Sequence, residues 1–530
     1  LNEEMSLAQK TKEKDILVIT GNPPYSGASA NKGIFEEEVR KEYKDGLEEK
    51  PLAITRNGKI EKEKNPKWLL DDYVKFIRFA QQKIDNQKAG GIFGFISNNS
   101  FLDNPTFRGM RYSLLKSFDE IYIVNLHGNT RKKEVSPDGS KDENVFDIMQ
   151  GVSINIFVRY TQNIDELNNV NSITHKYNRE SAAVYYYDLY GKREYKYKFL
   201  FDNNIKSIEW NKLEYKEPFF LFVKQDENLR EEYDNFYSLK DMFRIYNVGI
   251  VTSKDSVLIG LSEDKLKEQV QDYYNEFDNS FVEIINYRPF DKRFVYYDTN
   301  KVERARKDIM EHFLKYNNNI GLVFKRGFPF LNSGQGFITN KIIDLRSWSC
   351  PGMQGGDCVA PLYLYNTPNA IKNIQSQDYG DTDLFKKTAS NPFQNADKIE
   401  NFTVNFRKFI DEKYSSHFSP EDILGYIYAV LFHKTYRTKY IDFLKIDFPK
   451  IPFTDSKDIF IKLSELGTQL YNLHLMKDNN LNNDVGEGLY KDDKNNKIEK
   501  PLYNEKENKL FINKSLYFDK VSKEVWLYKI

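Results

Sequence analysis

The tetrapeptide Asn22-Pro23-Pro24-Tyr25 directly follows a short apolar, β-branched run, Asp15-Ile-Leu-Val-Ile-Thr20. Its residue types suit one kind of chemistry. An exocyclic amine on a purine is a poor nucleophile because its lone pair is delocalised into the ring. Two fixed oxygen acceptors, aimed at its two N–H bonds, draw the nitrogen toward tetrahedral geometry and free that pair. The Asn22 side-chain oxygen and the Pro23 backbone carbonyl can serve as those acceptors without any change of protonation. Pro23 and Pro24 stiffen the backbone, so the acceptors are set before a substrate arrives. Tyr25 adds an aromatic face on which an extruded base can stack, worth about 1–3 kcal/mol. A base paired in a duplex hides its amine and must be flipped out to reach such a site. The plain alternative is a proline-rich turn that ends a strand and does nothing more.

Other chemistries find little support. Cys350 and Cys358 cannot build a disulfide framework and do not have zinc-site spacing. The six histidines are scattered, with no pair at ligand spacing, so no metal site is expected. No Pro-Cys motif for cytosine C5 chemistry and no GxxxxGK[ST] phosphate loop occurs. Lys plus Arg and Asp plus Glu both total 78, and a zero net charge neither supports nor excludes a nucleic-acid partner, since only the contacting surface must be basic. No apolar run is long enough to span a membrane and no signal peptide is visible, so a cytoplasmic protein is expected.

The elements around the motif alternate in type. Residues 15–20, 91–97, 121–125 and 152–160 read as strands. Leu70, Val74, Ile77, Ala80 and Ile84 recur at helical spacing, and 111–117 reads as another helix. This alternation predicts a doubly wound α/β sheet over 1–160, with the motif at the carboxyl end of a strand, where open sheets bind ligands. A mixed, Tyr-rich connector is expected over 161–235 and an α+β module over 236–400. Residues 401–530 read as a helical spacer followed by a further C-terminal part: a capping sequence at Ser419-Pro420-Glu421-Asp422 opens a helical pattern that runs, with breaks, to Leu475, and 477–500 reads as a loop. At 530 residues, two to four domains are expected.

With these residues in view, the chain resembles the gamma-type N6-adenine DNA methyltransferases. More narrowly, it resembles the methyltransferase and target-recognition parts of the type ISP restriction–modification enzymes. Gly21 to Gly27 matches the family's catalytic motif, and Gly91 to Phe101 the strand and turn that follow its next helix. Asn144 to Ile148 with Gly151 to Ile154 is similar to a later motif that helps hold the flipped base. Phe146 is the candidate for a second stacking face, with a core phenylalanine as the alternative. Tyr287-Arg-Pro-Phe-Asp-Lys-Arg293, Pro420 to Val430 and Phe443 to Pro449 resemble signatures of the recognition region. The resemblance implies a partial Rossmann-like methyltransferase sheet, S-adenosylmethionine as cofactor and double-stranded DNA as partner. It also implies a helicase and a nuclease upstream in the full-length protein.

The chain departs from the family pattern at both ends. The Gly-rich cofactor loop that normally precedes the catalytic motif is missing, and the chain stops at Ile530, so both ends read as truncated. Weak or no cofactor binding by this chain alone is the expectation. For DNA contacts the candidates are Lys325, Arg326, Arg288, Arg293 and Arg346, with Arg304 and Arg306 beside them and the basic loop Arg131-Lys132-Lys133 near the motif. For each, a surface ion pair or a solvated loop is the competing role. Two rival functions stay open: methylation of RNA or of a protein amide, and a DNA-binding specificity module without chemistry.

Overall fold

A computed structural model of the 530-residue chain describes residues 5–6, 17–25, 29, 33–56, 59–60, 67–87, 89–130, 134–160, 180–314, 318–328, 333–349, 355–367, 397–477, 499, 501–514 and 516–527. It divides into two compact units, Leu1–Asp226 and Glu227–Ile530.

The first unit is an open mixed sheet. Its strands are β1 (Val18–Gly21), β2 (Gly91–Asn98), β3 (Glu120–His127), β4 (Val152–Arg159), β5 (Ala183–Asp188) and β6 (Asn211–Lys212), in the order β1-β2-β4-β3-β5-β6. β1 runs parallel to β2, and β3 parallel to β5. β4 lies antiparallel between β2 and β3. The doubly wound sheet expected from the sequence is thus interrupted by one reversed strand. The reason lies in the connection from β3 to β4, whose described residues contain no helix. A parallel return needs a crossover, usually helical, whereas a loop can fold straight back. Two antiparallel steps restore direction, so β1, β2, β3 and β5 all present their carboxyl ends at one edge.

Alternation along the strands divides the core. Phe93, Phe95, Ile121, Ile123, Phe157, Val184 and Tyr186 face a layer that includes α1 (Ile34–Tyr43), α2 (Asp72–Asp85) and α3 (Arg108–Ser117). The residues placed at helical spacing in the sequence, Val74, Ile77, Ala80 and Ile84, are the buried face of α2. On the opposite face Val124, Leu126, Val152 and Leu189 form a smaller cluster. Tyr25, Phe146 and residues of α4 (Arg193–Asp202) pack against it.

The domain does not end near 160. β5, α4 and the segment around 220 complete it, with Phe220 and Phe222 buried in its core. Arg111, fully buried, donates to the carbonyls of Phe101, Asn104 and Phe219 and ties that segment down. Burial pulls its pKa down to about 9. The expected connector is therefore largely part of the first unit, a role carried by contacts that have no periodic signature.

In the second unit a four-stranded sheet is ordered β7-β14-β11-β12, from β7 (Asn247–Val248), β11 (Gly321–Phe324), β12 (Phe337–Thr339) and β14 (Cys358–Pro361). Another is ordered β8-β10-β9-β13, from β8 (Ile259–Gly260), β9 (Val282–Arg288), β10 (Asp291–Tyr296) and β13 (Ile342–Ile343). Helix α5 (Glu263–Tyr274) buries Leu266 and Val270 with the second sheet. Helices α6 (Val404–Tyr414), α7 (Pro420–Phe432) and α8 (Lys457–His474) share one core with Leu322, Phe324, Ile338 and Ala360 of the first. The helical stretch is thus no separate spacer. The Ser419 hydroxyl accepts from Asp422 N while Asp422 accepts from Ser419 N, completing the capping box that opens α7. α7 and α8 cross closely: a Cβ at Gly467 would lie 1.8 Å from the Gly425 carbonyl oxygen. Near the end of the described residues a small sheet of β15 (Leu502–Asn504), β16 (Lys509–Phe511) and β17 (Tyr517–Phe518) precedes a short helix, Lys523–Leu527.

Candidate active site and recognition region

The tetrapeptide leaves the carboxyl end of β1. Asn22 and Pro24 are exposed, Pro23 is buried and Tyr25 is half-buried. The Tyr25 hydroxyl donates to Asn22 Oδ1 at 2.6 Å and lies 3.3 Å from the carbonyl of Ile96 on β2. An amide oxygen has two lone pairs. Tyr25 occupies one and fixes which way the amide faces, and the other remains to accept an N–H. Burial pushes the Tyr25 pKa up to about 12, so at neutral pH the phenol is a donor and never a base.

Phe146 faces the same place. Its ring centroid lies 6.2 Å from that of Tyr25, with the planes at 51°. The loop that carries it follows β3 and is held from several sides. Gly128 (φ +77°) lets the backbone approach: a Cβ there would meet Asn144 Cα at 2.4 Å. Asn144 donates to the carbonyls of Gly128 and Gln150 and accepts from Phe146 N. α4 clamps the far side. Arg193 donates to the carbonyls of Asn144 and Phe146 at 2.8 and 3.1 Å. Lys196, wholly buried, donates to Leu126 O, Glu143 O and Asp142 at 2.6–2.7 Å. Removing one partner of a buried pair such as Lys196–Asp142 costs about 3–5 kcal/mol. Neither Arg193 nor Lys196 was singled out in the sequence. They lie beyond the expected domain end, and no local pattern marks them.

Beside this loop His127 (φ +52°) hydrogen-bonds Glu134 at 2.8 Å and Asp188 at 2.7 Å and stacks on Tyr190. Burial opposes its charge, but the hydrogen bonds to Asp188 and Glu134 and their negative charges outweigh it and raise its pKa. Arg131, Lys132 and Lys133 lie outside the described residues. No group of three or more His, Cys, Asp or Glu side chains among the described residues could hold a metal ion.

In the second unit the candidate cations fall into different surroundings. Lys325 is 1 % exposed, donates to Gly355 O and faces Asp357 at 3.6 Å. Burial lowers its pKa. It is an internal ion-pair residue and is withdrawn as a DNA contact, since a strand-end position in sequence says nothing about which way the side chain turns. Arg326 pairs with Asp447 at 3.1 Å. Arg288 pairs with Asp344 and Arg293 with Asp291, and their guanidinium groups sit 4.0 and 4.1 Å from the ring centroid of Tyr287. Both remain about one-third exposed. Arg346 is half-buried, and its backbone N–H caps Asp344. Arg304 is exposed beside Glu303, and Arg306 occupies a left-handed position (φ +51°).

A mixed α/β unit with a candidate site at its strand ends, followed by a second α+β unit, defines the class of protein. Residues 274–530 match the model of the Type ISP C-terminal specificity domain. The fold of the chain is similar to that of a part of solved Type ISP enzymes. It is similar to the ATP-dependent Type ISP restriction-modification enzyme LlaBIII bound to DNA (21 % identity, TM-score 0.70, 99 % of this chain and 34 % of that one). It is similar also to a nuclease-deletion mutant of the Type ISP enzyme LlaGI in complex with a DNA substrate mimic (20 %, 0.68, 99 % and 48 %). A DrdV–DNA complex matches at 22 % identity and TM-score 0.64, over 90 % of this chain and 46 % of that one. The chain therefore spans about a third to a half of these solved relatives. No curated protein matches it in sequence. No helix among the described residues is long and apolar enough to cross a membrane.

Proposed function

We propose that this chain is the methylation and target-recognition part of a Type ISP restriction–modification enzyme. In this reading the first unit is a partial Rossmann-like methyltransferase sheet that holds a flipped adenine at Asn22–Tyr25, and the second reads duplex DNA. The observation that carries it is the convergence, at one strand-end edge, of an oriented amide oxygen and two aromatic rings. Asn22 Oδ1 accepts one N–H of the adenine N6 amine and the Pro23 carbonyl the other, which localises the nitrogen lone pair and stabilises the positive charge that builds as the nitrogen is alkylated. Tyr25 and Phe146 offer faces to the purine. S-adenosylmethionine is the donor this chemistry calls for, supplying an electrophilic methyl group; Asn22, Pro23, Tyr25 and Phe146 furnish the acceptor side. DNA partnership is supported by the specificity-domain match and by the DNA-bound state of the similar structures.

The test is methyl transfer to duplex DNA in the full-length polypeptide. Asn22→Ala is expected to abolish transfer and leave duplex affinity intact; unchanged transfer rejects the reading. A second reading, a DNA-binding specificity fragment without chemistry, is favoured by the match of residues 274–530 to a specificity domain. Full transfer by wild type and none by Asn22→Ala rejects that one.

A further inference from the structure

The hairpin joining β9 to β10 turns on Pro289 and Phe290, with Arg288 opposite Asp291. Phe290 is held at φ +60° and is 46 % exposed. A bulky residue in the left-handed region stores strain of order 1–3 kcal/mol, and such strain clusters at binding sites. Beside it opens a cavity of about 220 Å³ lined by Phe290, Phe337, Lys292, Asn286, Asn340 and His474, among others. The cavity is aromatic on one side: Phe290 packs edge-on to Phe337 at 5.6 Å, and the His474 ring stacks on Phe337 at 5.7 Å. The Asn340 side-chain oxygen is buried with no hydrogen-bond partner.

Three lysines come to this place from separate elements: Lys292 on β10 lines the cavity beside Asn340 and Met476, and Lys341, in the turn between β12 and β13, and Lys477, just beyond α8, are the next residues in the chain after those two. None of the three forms an ion pair with a carboxylate among the described residues, unlike Arg288, Arg293, Arg326 and Lys325 of the same unit. The pKa of Lys292 is lowered first by burial and then by the charges of Lys341 and Lys477. Like charges gathered with no counter-ion among the described residues repel one another, and the repulsion is relieved when an anion enters. His474 adds no charge there at neutral pH, because burial lowers its pKa to about 4.

We propose that Lys292, Lys341 and Lys477, beside the Phe290 hairpin, form a phosphate clamp that grips the backbone of duplex DNA. The inference rests on the reading of the second unit as a DNA-recognition unit and names which of its surfaces carries the electrostatic part of binding. Arg288, Arg293 and Arg326, expected from sequence to do this, are instead held in ion pairs, whereas the clamp lysines have no carboxylate partner among the described residues.

The experiment measures duplex affinity against salt for the full chain, in wild type and in K292Q/K341Q/K477Q. Each phosphate neutralised adds about 0.9 to the slope of log affinity against log salt, so three lost contacts lower the slope by up to about 2.7. Raising salt from about 50 to 200 mM should then weaken wild type about 40-fold more than it weakens the variant. A control, K265Q/K408Q/K462Q, removes the same formal charge from other exposed positions of the unit and should keep the wild-type slope. K292R/K341R/K477R, which preserves charge, should keep it too. If wild type binds duplex with a steep slope and the clamp variant has the same slope, the clamp is wrong. An equal loss in the control also overturns it, because the effect would be one of net charge. If wild type shows no salt-dependent duplex binding, it is the DNA-recognition reading itself that fails.

Discussion

On the proposed function, replacing Tyr25 separates two jobs. Its hydroxyl donates to Asn22 Oδ1 at 2.6 Å and its ring lies 6.2 Å from that of Phe146. Tyr25→Phe deletes only the donor. A neutral hydrogen bond of this kind contributes about 0.5–1.5 kcal/mol, so the oriented amide should lose a factor of roughly 2–12 in the methyl-transfer rate, with substrate affinity nearly unchanged. Tyr25→Ala also removes the stacking face, a further loss of about 1–3 kcal/mol that should appear in base extrusion and in affinity. Asn22→Ala deletes the acceptor aimed at developing charge, a change that costs about 10²–10³ in rate where comparable groups have been removed. The three variants should therefore rank Phe, then Ala at 25, then Ala at 22, measured as single-turnover methyl incorporation into duplex DNA in the full-length polypeptide. Because the Tyr25 pKa stands at about 12, the wild-type rate should show no ionisation of this phenol between about pH 7 and 10. Tyr25→Phe as inactive as Asn22→Ala would refute the reasoning, since the hydroxyl would then be doing the chemistry rather than positioning an amide.

Arg193→Ala removes the donors to the Asn144 and Phe146 carbonyls. We expect a several-fold slower transfer with duplex affinity retained, checked by the same assay beside an equilibrium binding measurement. Gly467→Leu forces a side chain into the Gly425 backbone and should destabilise the second unit by at least about 1–3 kcal/mol in denaturant unfolding. The histidines give opposite pH dependences in the two units. His127 has a raised pKa, so its contribution is whole below about pH 6.5 and is lost as pH rises through the raised value. His312 and His474 are each lowered to about 4 by burial. Their contribution is present above about pH 6.5, is lost as pH falls toward 4, and amounts to roughly 3 kcal/mol each at most. Thermal unfolding followed between pH 4 and 8 should flatten at its acidic end in His474→Gln and at its alkaline end in His127→Gln.

Local composition was sufficient for the pieces nearest the chemistry. A β-branched run must end where two prolines forbid its continuation, so Asn22 and Tyr25 were bound to emerge at a strand end. The spacing of three, three and four residues through Val74, Ile77, Ala80 and Ile84 has no better use than a buried helix face, and Ser419 with Asp422 caps α7 through groups only three residues apart. What the chain could not reveal locally was decided by contacts between distant residues. The reversal of β4 follows from a loop without a crossover helix. The extension of the first unit to Asp226 depends on Arg111 reaching carbonyls at 101, 104 and 219. The turn of Lys325 inward to Asp357 and the gathering of Lys292, Lys341 and Lys477 around one hairpin depend on which strands pair and where α8 ends. Hydrogen-bond direction and charge proximity are properties of three-dimensional neighbours, and residue type alone leaves them open.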